Sequence, residues 1–203
     1  MNCRRPASSY QGDFSNDKQL EFSNHWPCQR AIDTGIIAPM KFSTSAVQTS
    51  FDSPLGRIIV AASEDKLLGV WFDGQRHQPD TASWPIATNH PVLQQAKAQL
   101  TDYFAGRRTS FELPLDLGTG TSFQQAVWRA LLKIPYGVTR SYGALSADIG
   151  RPSAVRAVGA AVGRNPFSII VPCHRVLGSD GALTGYAGGL ERKTALLQLE
   201  GRR

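Results

Sequence analysis

Residues 141–166 read SYGALSADIGRPSAVRAVGAAVGRNP. Ser141 suits the N-cap of a helix over Tyr142–Ile149, because its hydroxyl can accept from a backbone N–H that lacks an intrahelical partner. Gly150-Arg151-Pro152 breaks the chain. Ser153 is placed to cap a second helix, Ala154–Arg164, which Asn165-Pro166 ends, since the residue before proline is driven from helical geometry. Two short helices around a tight Gly-containing turn form a helix-turn-helix candidate, with a plain helical hairpin as the blander reading. The second helix has only two long side chains, Arg156 and Arg164. A helix that reads the major groove presents Arg, Asn or Gln to base edges. Here the face offers Ala154, Ala157, Gly159 and Ala160 instead. Small residues let a helix axis approach a surface closely, and the minor groove is only ~6 Å wide. The expectation is minor-groove docking with little sequence readout, with Arg156 reaching into the duplex and Arg151 and Arg164 on phosphates. The same small residues would also pack against the neighbouring helix, and both uses can hold on different faces.

Charge along the chain points the same way. The 203 residues carry 22 Lys+Arg and 16 Asp+Glu, a net +6. Residues 1–40 are balanced and residues 41–118 sum to −1, whereas residues 119–203 hold eleven basic against four acidic groups, +7, with no acid between Asp148 and Asp180. A one-sided basic surface suits an anionic partner such as nucleic acid; a solvated basic face is the plainer alternative. A hydrophobic content of 41% with 19% charged residues excludes a fully disordered chain. No stretch approaches the roughly 18 apolar residues of a membrane span, and the amino terminus lacks the apolar region of a secretory signal. Cysteine is sparse: Cys3, Cys28 and Cys173. An odd count without a signal argues for a reducing compartment, so a cytoplasmic protein is expected.

Upstream, Val47–Asp52, Arg57–Ser63 and Leu67–Phe72 read as three strands at hairpin spacing, the first pair joined by Ser53-Pro54-Leu55-Gly56. Pro91–Ala105 reads as a helix with Val92, Leu93, Ala96, Leu100 and Phe104 near one face, stopped by Gly106. Glu112–Leu117 is a candidate further strand, and Leu117-Gly118-Thr119-Gly120 a candidate linker. Thr121 or Ser122 caps a helix to Lys133, with Phe123, Val127, Ala130, Leu131 and Ile134 on one stripe. Residues 1–45 read as a disordered extension in which Met40 is a possible alternative start. The fold class expected is α+β: a small antiparallel-sheet and helix domain over 46–117, then a mostly helical domain over 118–203 that contains the helix-turn-helix.

Residues 168–177, SIIVPCHRVL, carry the reactive chemistry. A lone cysteine is most often a small buried hydrophobe. Cys173 is instead flanked by His174 and Arg175, and cationic neighbours favour thiolate. Adjacent side chains of an extended chain point apart, so a bridging water or a tight turn is needed to link Cys173 to His174. His174 in turn needs an orienting carboxylate. The acids in this half are Asp148, Asp180, Glu191 and Glu200. Glu200 is the best candidate, since Leu196, Leu197 and Leu199 would pin its helix to the core. Gly185, Gly188 and Gly189 around Tyr186 form a loop whose backbone N–H groups can approach a ligand.

Together, PCHRV at 172–176, GRNP at 163–166, SYG at 141–143, RAVGAAVG at 156–163 and GYAGGLERK at 185–193 resemble the O6-alkylguanine-DNA alkyltransferase family, over roughly residues 46–201. The resemblance implies a ribonuclease H-like fold for 46–117 and an alkyltransferase domain over 118–203. It implies irreversible alkyl transfer from O6-alkylguanine, and O4-alkylthymine, in double-stranded DNA to Cys173, once per molecule. No cofactor, no metal and no membrane are implied, and the protein is expected to be a monomer, nucleoid-associated when on DNA. By the resemblance, His174 acts through a water as base, Glu200 holds His174, and Asn165 braces the active-site turn. Tyr142 donates to guanine N3, the carbonyls of Cys173 and Val176 accept from the exocyclic amine, the N–H of Ala187 faces O6, Tyr186 lines the alkyl pocket, and Arg156 fills the gap left by the flipped base. O6 lies in the major groove within the stack, so a minor-groove binder must flip the base out.

Two departures stand out. Some relatives carry a four-cysteine zinc domain, whereas residues 1–40 hold only Cys3 and Cys28, with His25 between them, at a spacing that fits no standard zinc pattern. Ala187 stands where other members have Ser, at a position that acts through its backbone. Competing classes fare worse. Lesion-binding relatives that lack the cysteine are disfavoured by Cys173, a transcription regulator by the bare second helix, and a cysteine hydrolase by the want of an oxyanion-hole signal.

Overall fold

Strands β1 (Val47–Ser53), β2 (Gly56–Ser63) and β3 (Lys66–Phe72) form an antiparallel meander in that order. The computed structural model describes residue 38 and residues 40–201; Cys3, His25, Cys28 and most of the expected extension lie outside the described residues. Ser53 pairs with Gly56 across the first turn, where Gly56 takes φ +105°. β2 is apolar on both faces because both are covered. Ile58, Val60 and Ala62 enter the main core, while Ile59 and Ala61 join Leu68 and Trp71 in a second layer closed by Phe42 and Trp84. Gly69 lies under Trp71, and a Cβ there would come within 2.0 Å of the indole.

Helix α1 (Pro91–Phe104) packs on the sheet. Proline at its first position loses nothing, because that N–H would have no helical partner. Its buried stripe runs Val92, Leu93, Ala96, Gln99, Leu100, Tyr103. Tyr103, not Phe104, is the fully buried ring at its end, since the 96–100–103 spacing continues the stripe and 104 falls at its margin. Residues 112–117 form no strand. Pro114 has no N–H to give, and only Leu115 bridges to Leu67, through Leu67 N–H to Pro114 O at 2.8 Å and Asp116 N–H to Leu67 O at 2.9 Å. That bridge, with Val70 N–H to Pro166 O at 2.8 Å and Ser168 N–H to Val70 O at 2.9 Å, covers the free edge of β3. Residues 117–119 form a 3-10 turn with Thr119 buried, so the segment expected to link is itself packed.

Helix α2 (Ser122–Leu131) begins with a capping box between Thr121 and Gln124. Helix α3 (Tyr142–Asp148) is capped by Ser141, which accepts from Ala144 N–H at 3.1 Å. Gly150 at φ +69° ends it. Helix α4 (Val155–Gly163) starts at Ala154 without a side-chain cap. Ser153 does not cap it, because Pro152 and Ser153 form a turn closed by Ala154 N–H to Arg151 O at 2.8 Å. A short parallel pair, β4 (Arg140–Ser141) with β5 (Val176–Leu177), ties the entry of α3 to the chain after Cys173. Helix α5 (Leu190–Leu199) closes the fold.

One hydrophobic core spans both parts: Phe72, Leu93 and Tyr103 share it with Trp128, Leu131, Val158, Phe167, Val171 and Leu196. The segment around Phe167 and Val171 therefore rests on the sheet as well as on the helices. Among the described residues no helix is long and apolar enough to cross a membrane.

Candidate active site and DNA-facing surface

The Asn165–Val176 segment is held by unusual local bonding. Asn165 is buried, and its Nδ2 donates to Val171 O at 2.8 Å, Phe167 O at 3.3 Å and Cys173 Sγ at 3.1 Å, while Oδ1 accepts from Phe167 N–H at 3.0 Å. One amide thus supplies partners that irregular backbone cannot find for itself. Ile169, β-branched and buried, sits at φ +74°. Such a conformation costs about 1–3 kcal/mol and persists only where the surroundings over-determine it. Val171 N–H to Phe167 O and Ile170 N–H to Ser168 O, both 2.9 Å, supply that constraint. From the β3 side, Ser168 Oγ donates to Gln75 Oε1 at 2.9 Å.

The chain then enters a 3-10 turn, Cys173–Arg175, in which all three side chains are buried. His174 Nε2 lies 2.9 Å from Glu200 Oε1. Arg175 turns onto the same carboxylate, with Nη2 to Oε1 and Nε to Oε2 both at 2.8 Å, and Nη1 donates to Ile134 O at 2.6 Å. Tyr103 donates to Oε1 at 2.8 Å and Gly137 N–H to Oε2 at 3.1 Å. Burial alone would raise the Glu200 pKa, but the bonds and charges of His174 and Arg175 outweigh it and hold the carboxyl well below the ordinary range. Glu200 is therefore an acceptor only. Burial lowers the His174 pKa against the raising effect of Glu200, so the ring is neutral near pH 7. A neutral ring facing a carboxylate donates from Nε2, which leaves Nδ1 as the basic nitrogen. Nδ1 is buried and has no hydrogen-bond partner among the described residues.

Cys173 is 4% exposed. Burial raises its pKa; the Asn165 amide and the Lys193 charge pull it back. The cation acting on the sulfur is thus Lys193. Arg175, expected beside the thiol, is committed to Glu200, because a 3-10 turn sends residue i+2 to another side from residue i. Lys193 was missed by sequence reasoning, although it occupies the apolar stripe with Leu196, Leu197 and Glu200 at positions i, i+3, i+4 and i+7. Its Nζ is fixed by Val176 O and Thr184 O, both at 2.6 Å, and burial pulls its pKa down to about 8. Tyr103 and Gly137 were likewise missed.

Two of the remaining expected ligand-facing groups, Tyr142 and Tyr186, lie within electrostatic reach of the thiol. Tyr142 Oη is 3.4 Å from both Thr184 O and Gly185 O; burial raises its pKa, and the Cys173 sulfur adds to the rise. Burial of the Tyr186 hydroxyl, reinforced by Cys173, keeps that phenol protonated. The carbonyl of Ala187 accepts from Arg76 N–H at 3.0 Å, which ties the loop to the chain after β3. The Val176 carbonyl already accepts from Lys193, and that of Cys173 from Val176 N–H. An apolar groove of about 250 Å³ between Phe51, Pro54 and Phe104 contains none of these groups.

Along α4, Arg156 is exposed, as is Arg151 in the preceding turn, and neither side chain has a partner among the described residues. Arg164 is half-buried, and its charge lowers the pKa of His77 after burial has done so. Ala154, Ala157, Gly159 and Ala160 are half-buried, and a Cβ on Gly159 would meet the Tyr142 ring at 3.8 Å. Small residues therefore serve the packing of α4 on α3 as well as its outer face. The described residues hold no cluster of metal-ligating side chains.

Two models of one family cover most of the chain: the ribonuclease-like domain of 6-O-methylguanine DNA methyltransferase at residues 46–117, and its DNA binding domain at residues 122–202. The chain belongs to the 6-O-methylguanine DNA methyltransferase family. A methylated-DNA–protein-cysteine methyltransferase of Mycobacterium leprae is 50% identical over 151 residues, covering 74% of this chain and 90% of the relative. A constitutive enzyme of the same name from Bacillus subtilis is 48% identical over 159 residues, 75% of this chain and 93% of that one. Among solved structures, Mycobacterium tuberculosis OGT in complex with DNA matches with a TM-score of 0.72 and 49% identity, over 76% of this chain and 92% of that one.

Proposed function

We propose that this protein repairs alkylated DNA by moving the alkyl group of O6-alkylguanine, or of O4-alkylthymine, from double-stranded DNA onto Cys173. The observation that carries this reading is the line Glu200–His174 beside Cys173, with the basic Nδ1 of His174 left without a partner among the described residues. The thiol proton passes through one water to Nδ1. The sulfur lone pair forms a bond to the alkyl carbon, the carbon–O6 bond breaks with its electrons going to the base, and the proton held on His174 passes back through water to give neutral guanine. Balance is complete without a cofactor. A thioether has no good leaving group, so water does not regenerate the thiol and each molecule acts once.

Asn165 holds the sulfur and the turn, and Lys193 favours the thiolate. Tyr142 donates to guanine N3, Tyr186 lines the alkyl pocket, the Ala187 N–H faces O6, and the Val176 carbonyl uses its second lone pair for the exocyclic amine. The α3–α4 pair serves as a helix-turn-helix in the minor groove, where Ala154, Ala157, Gly159 and Ala160 allow close approach. Arg156 fills the gap behind the flipped base, and Arg151 and Arg164 meet phosphates. The working units are 46–117 and 118–203, acting as a monomer that is cytoplasmic and joins the nucleoid when on DNA.

Intact-mass measurement after incubation with a duplex bearing O6-methylguanine tests the reading. One methyl group, about 14 Da by elemental arithmetic, is expected per molecule on Cys173, and none on Cys173→Ala. Repeated turnover, or no transfer, sinks it. Binding to the duplex should weaken as salt rises; a flat salt dependence would remove the phosphate contacts.

A further inference from the structure

The geometry points to Tyr103, on α1 of the sheet-bearing half, as a positioning residue for alkyl transfer that acts through Glu200 on His174. The inference rests on the Glu200–His174 relay proposed above. Tyr103 is fully buried, ninety-seven positions from Glu200 in sequence, and its hydroxyl donates to the same oxygen, Oε1, that receives His174 Nε2. Arg175 Nη2 reaches that oxygen too, while Oε2 takes Arg175 Nε and Gly137 N–H.

Oε1 thus has three donors at 2.8–2.9 Å. Donors that share one oxygen divide its charge, so each weakens the pull on the others. With the Tyr103 hydroxyl in place, Oε1 orients His174 without drawing it to imidazolium. Tyr103 is also locked as a donor, since burial first and the Glu200 charge second keep the phenol protonated. Its ring is edge-on to Phe104 and Tyr136 and tilted against Phe111, so Phe at this position keeps the packing and removes only the hydroxyl.

The charged and titratable groups around the relay come from every neighbouring element. They are Tyr103 from α1, Tyr136 from the loop after α2, Arg175 from the 3-10 turn and Lys193 from α5, with Cys173 on the sulfur side. Arg175 and Lys193 disfavour an imidazolium; Glu200 favours it. Removing the Tyr103 hydroxyl leaves Glu200 ionised by Arg175 and gives His174 a larger share of Oε1. Imidazolium then forms at higher pH, and the basic Nδ1 is lost sooner as pH falls.

The test is single-turnover transfer from free O6-benzylguanine by the full chain across pH, comparing wild type, Tyr103→Phe, His174→Ala and the double variant. Tyr103→Phe should move the acid limb of the profile to higher pH, so that transfer on that limb slows roughly fivefold, the factor one hydrogen bond supplies, while the rate above the limb is kept. In the His174→Ala background it should cost nothing further. A wild-type rate and profile for Tyr103→Phe beside an impaired His174→Ala overturns the role of Tyr103 and leaves the relay standing. A slower rate with an unmoved acid limb, or equal losses in both backgrounds, makes the role structural only. A wild-type rate for His174→Ala removes the relay itself, and the role of Tyr103 with it.

Discussion

The two ends of the active site are built on opposite plans. At the Glu200 end, five donors from three separate stretches of chain converge on one carboxylate. At the Cys173 end, the sulfur has one side-chain donor, Asn165, and one tempering charge, Lys193, with backbone N–H groups and no carboxylate among its partners. The first end stays charged at neutral pH. The second holds a thiol whose ionisation burial opposes. A nucleophile that must meet an alkyl carbon gains from shedding solvent, while its base gains from a fixed tautomer. The site separates these demands along a single line of side chains.

The sharpest way to break this contrast is Glu200→Gln. It removes the charge from the crowded end and leaves Arg175 buried without a counter-ion, so a loss of about 3–5 kcal/mol is expected in urea unfolding at pH 7. Its pH dependence follows from the depressed Glu200 pKa. The contribution is fully present above the unfolded carboxyl value of about 4.3 and is lost as pH falls through the lower folded value. His174 adds a loss that begins higher. Its folded pKa lies below about 6.5, so stability declines once pH falls below that value and the unfolded ring protonates. Wild-type stability should therefore fall in two stages on acidification. Glu200→Gln should lack the lower one, and an unchanged lower stage would mean the carboxylate is not held as the geometry implies.

Asn165→Ala addresses the hinge between the two ends. It leaves Val171 O and Phe167 N–H buried without their side-chain partner, at a cost of about 1–3 kcal/mol. It also frees Cys173 Sγ, so transfer should slow along with the loss in stability. Equal transfer rates measured by quenched-flow would show that the hinge supports folding alone.

Why some of this was readable from sequence and some was not follows from range. β1, β2, β3, α1 and α2 came from periodicity and turn residues acting within about ten positions, and the observed bounds differ by only a residue or two. Cys173, His174 and Glu200 were nameable because reactive side chains are rare in this half. The direction of Arg175 was not, because it depends on a 3-10 turn that no hydrophobic period encodes. Glu112–Leu117 had strand-like composition, but Pro114 left it only a single bridge. Tyr103 was hidden because sequence gives no sign that α1 lies against the end of α5. Lys193 left a trace, a charge on an apolar stripe, which can be read only by asking what a buried ammonium would bond.

Lys193→Met sharpens the sulfur end. Methionine keeps the length and removes the charge that favours thiolate. The midpoint of Cys173 alkylation by iodoacetamide should move to higher pH. An unmoved midpoint would reassign Lys193 to bracing the Val176 and Thr184 carbonyls alone.

The smallest effect on the folded protein, and the most selective on function, is expected outside both ends. Arg156 is exposed and its side chain has no partner among the described residues, so Arg156→Ala should shift unfolding by no more than about 0.5 kcal/mol. It touches neither Glu200 nor Cys173, so reaction with free O6-benzylguanine should keep its rate. Transfer from a duplex should slow, because a vacated base stack has no side chain to fill it and the flipped state becomes less populated. Equal losses on both substrates would place Arg156 in the chemistry of the pocket. No loss on either would leave base extrusion to the shape of α4, whose small residues would then be sufficient to hold the duplex open against the thiol.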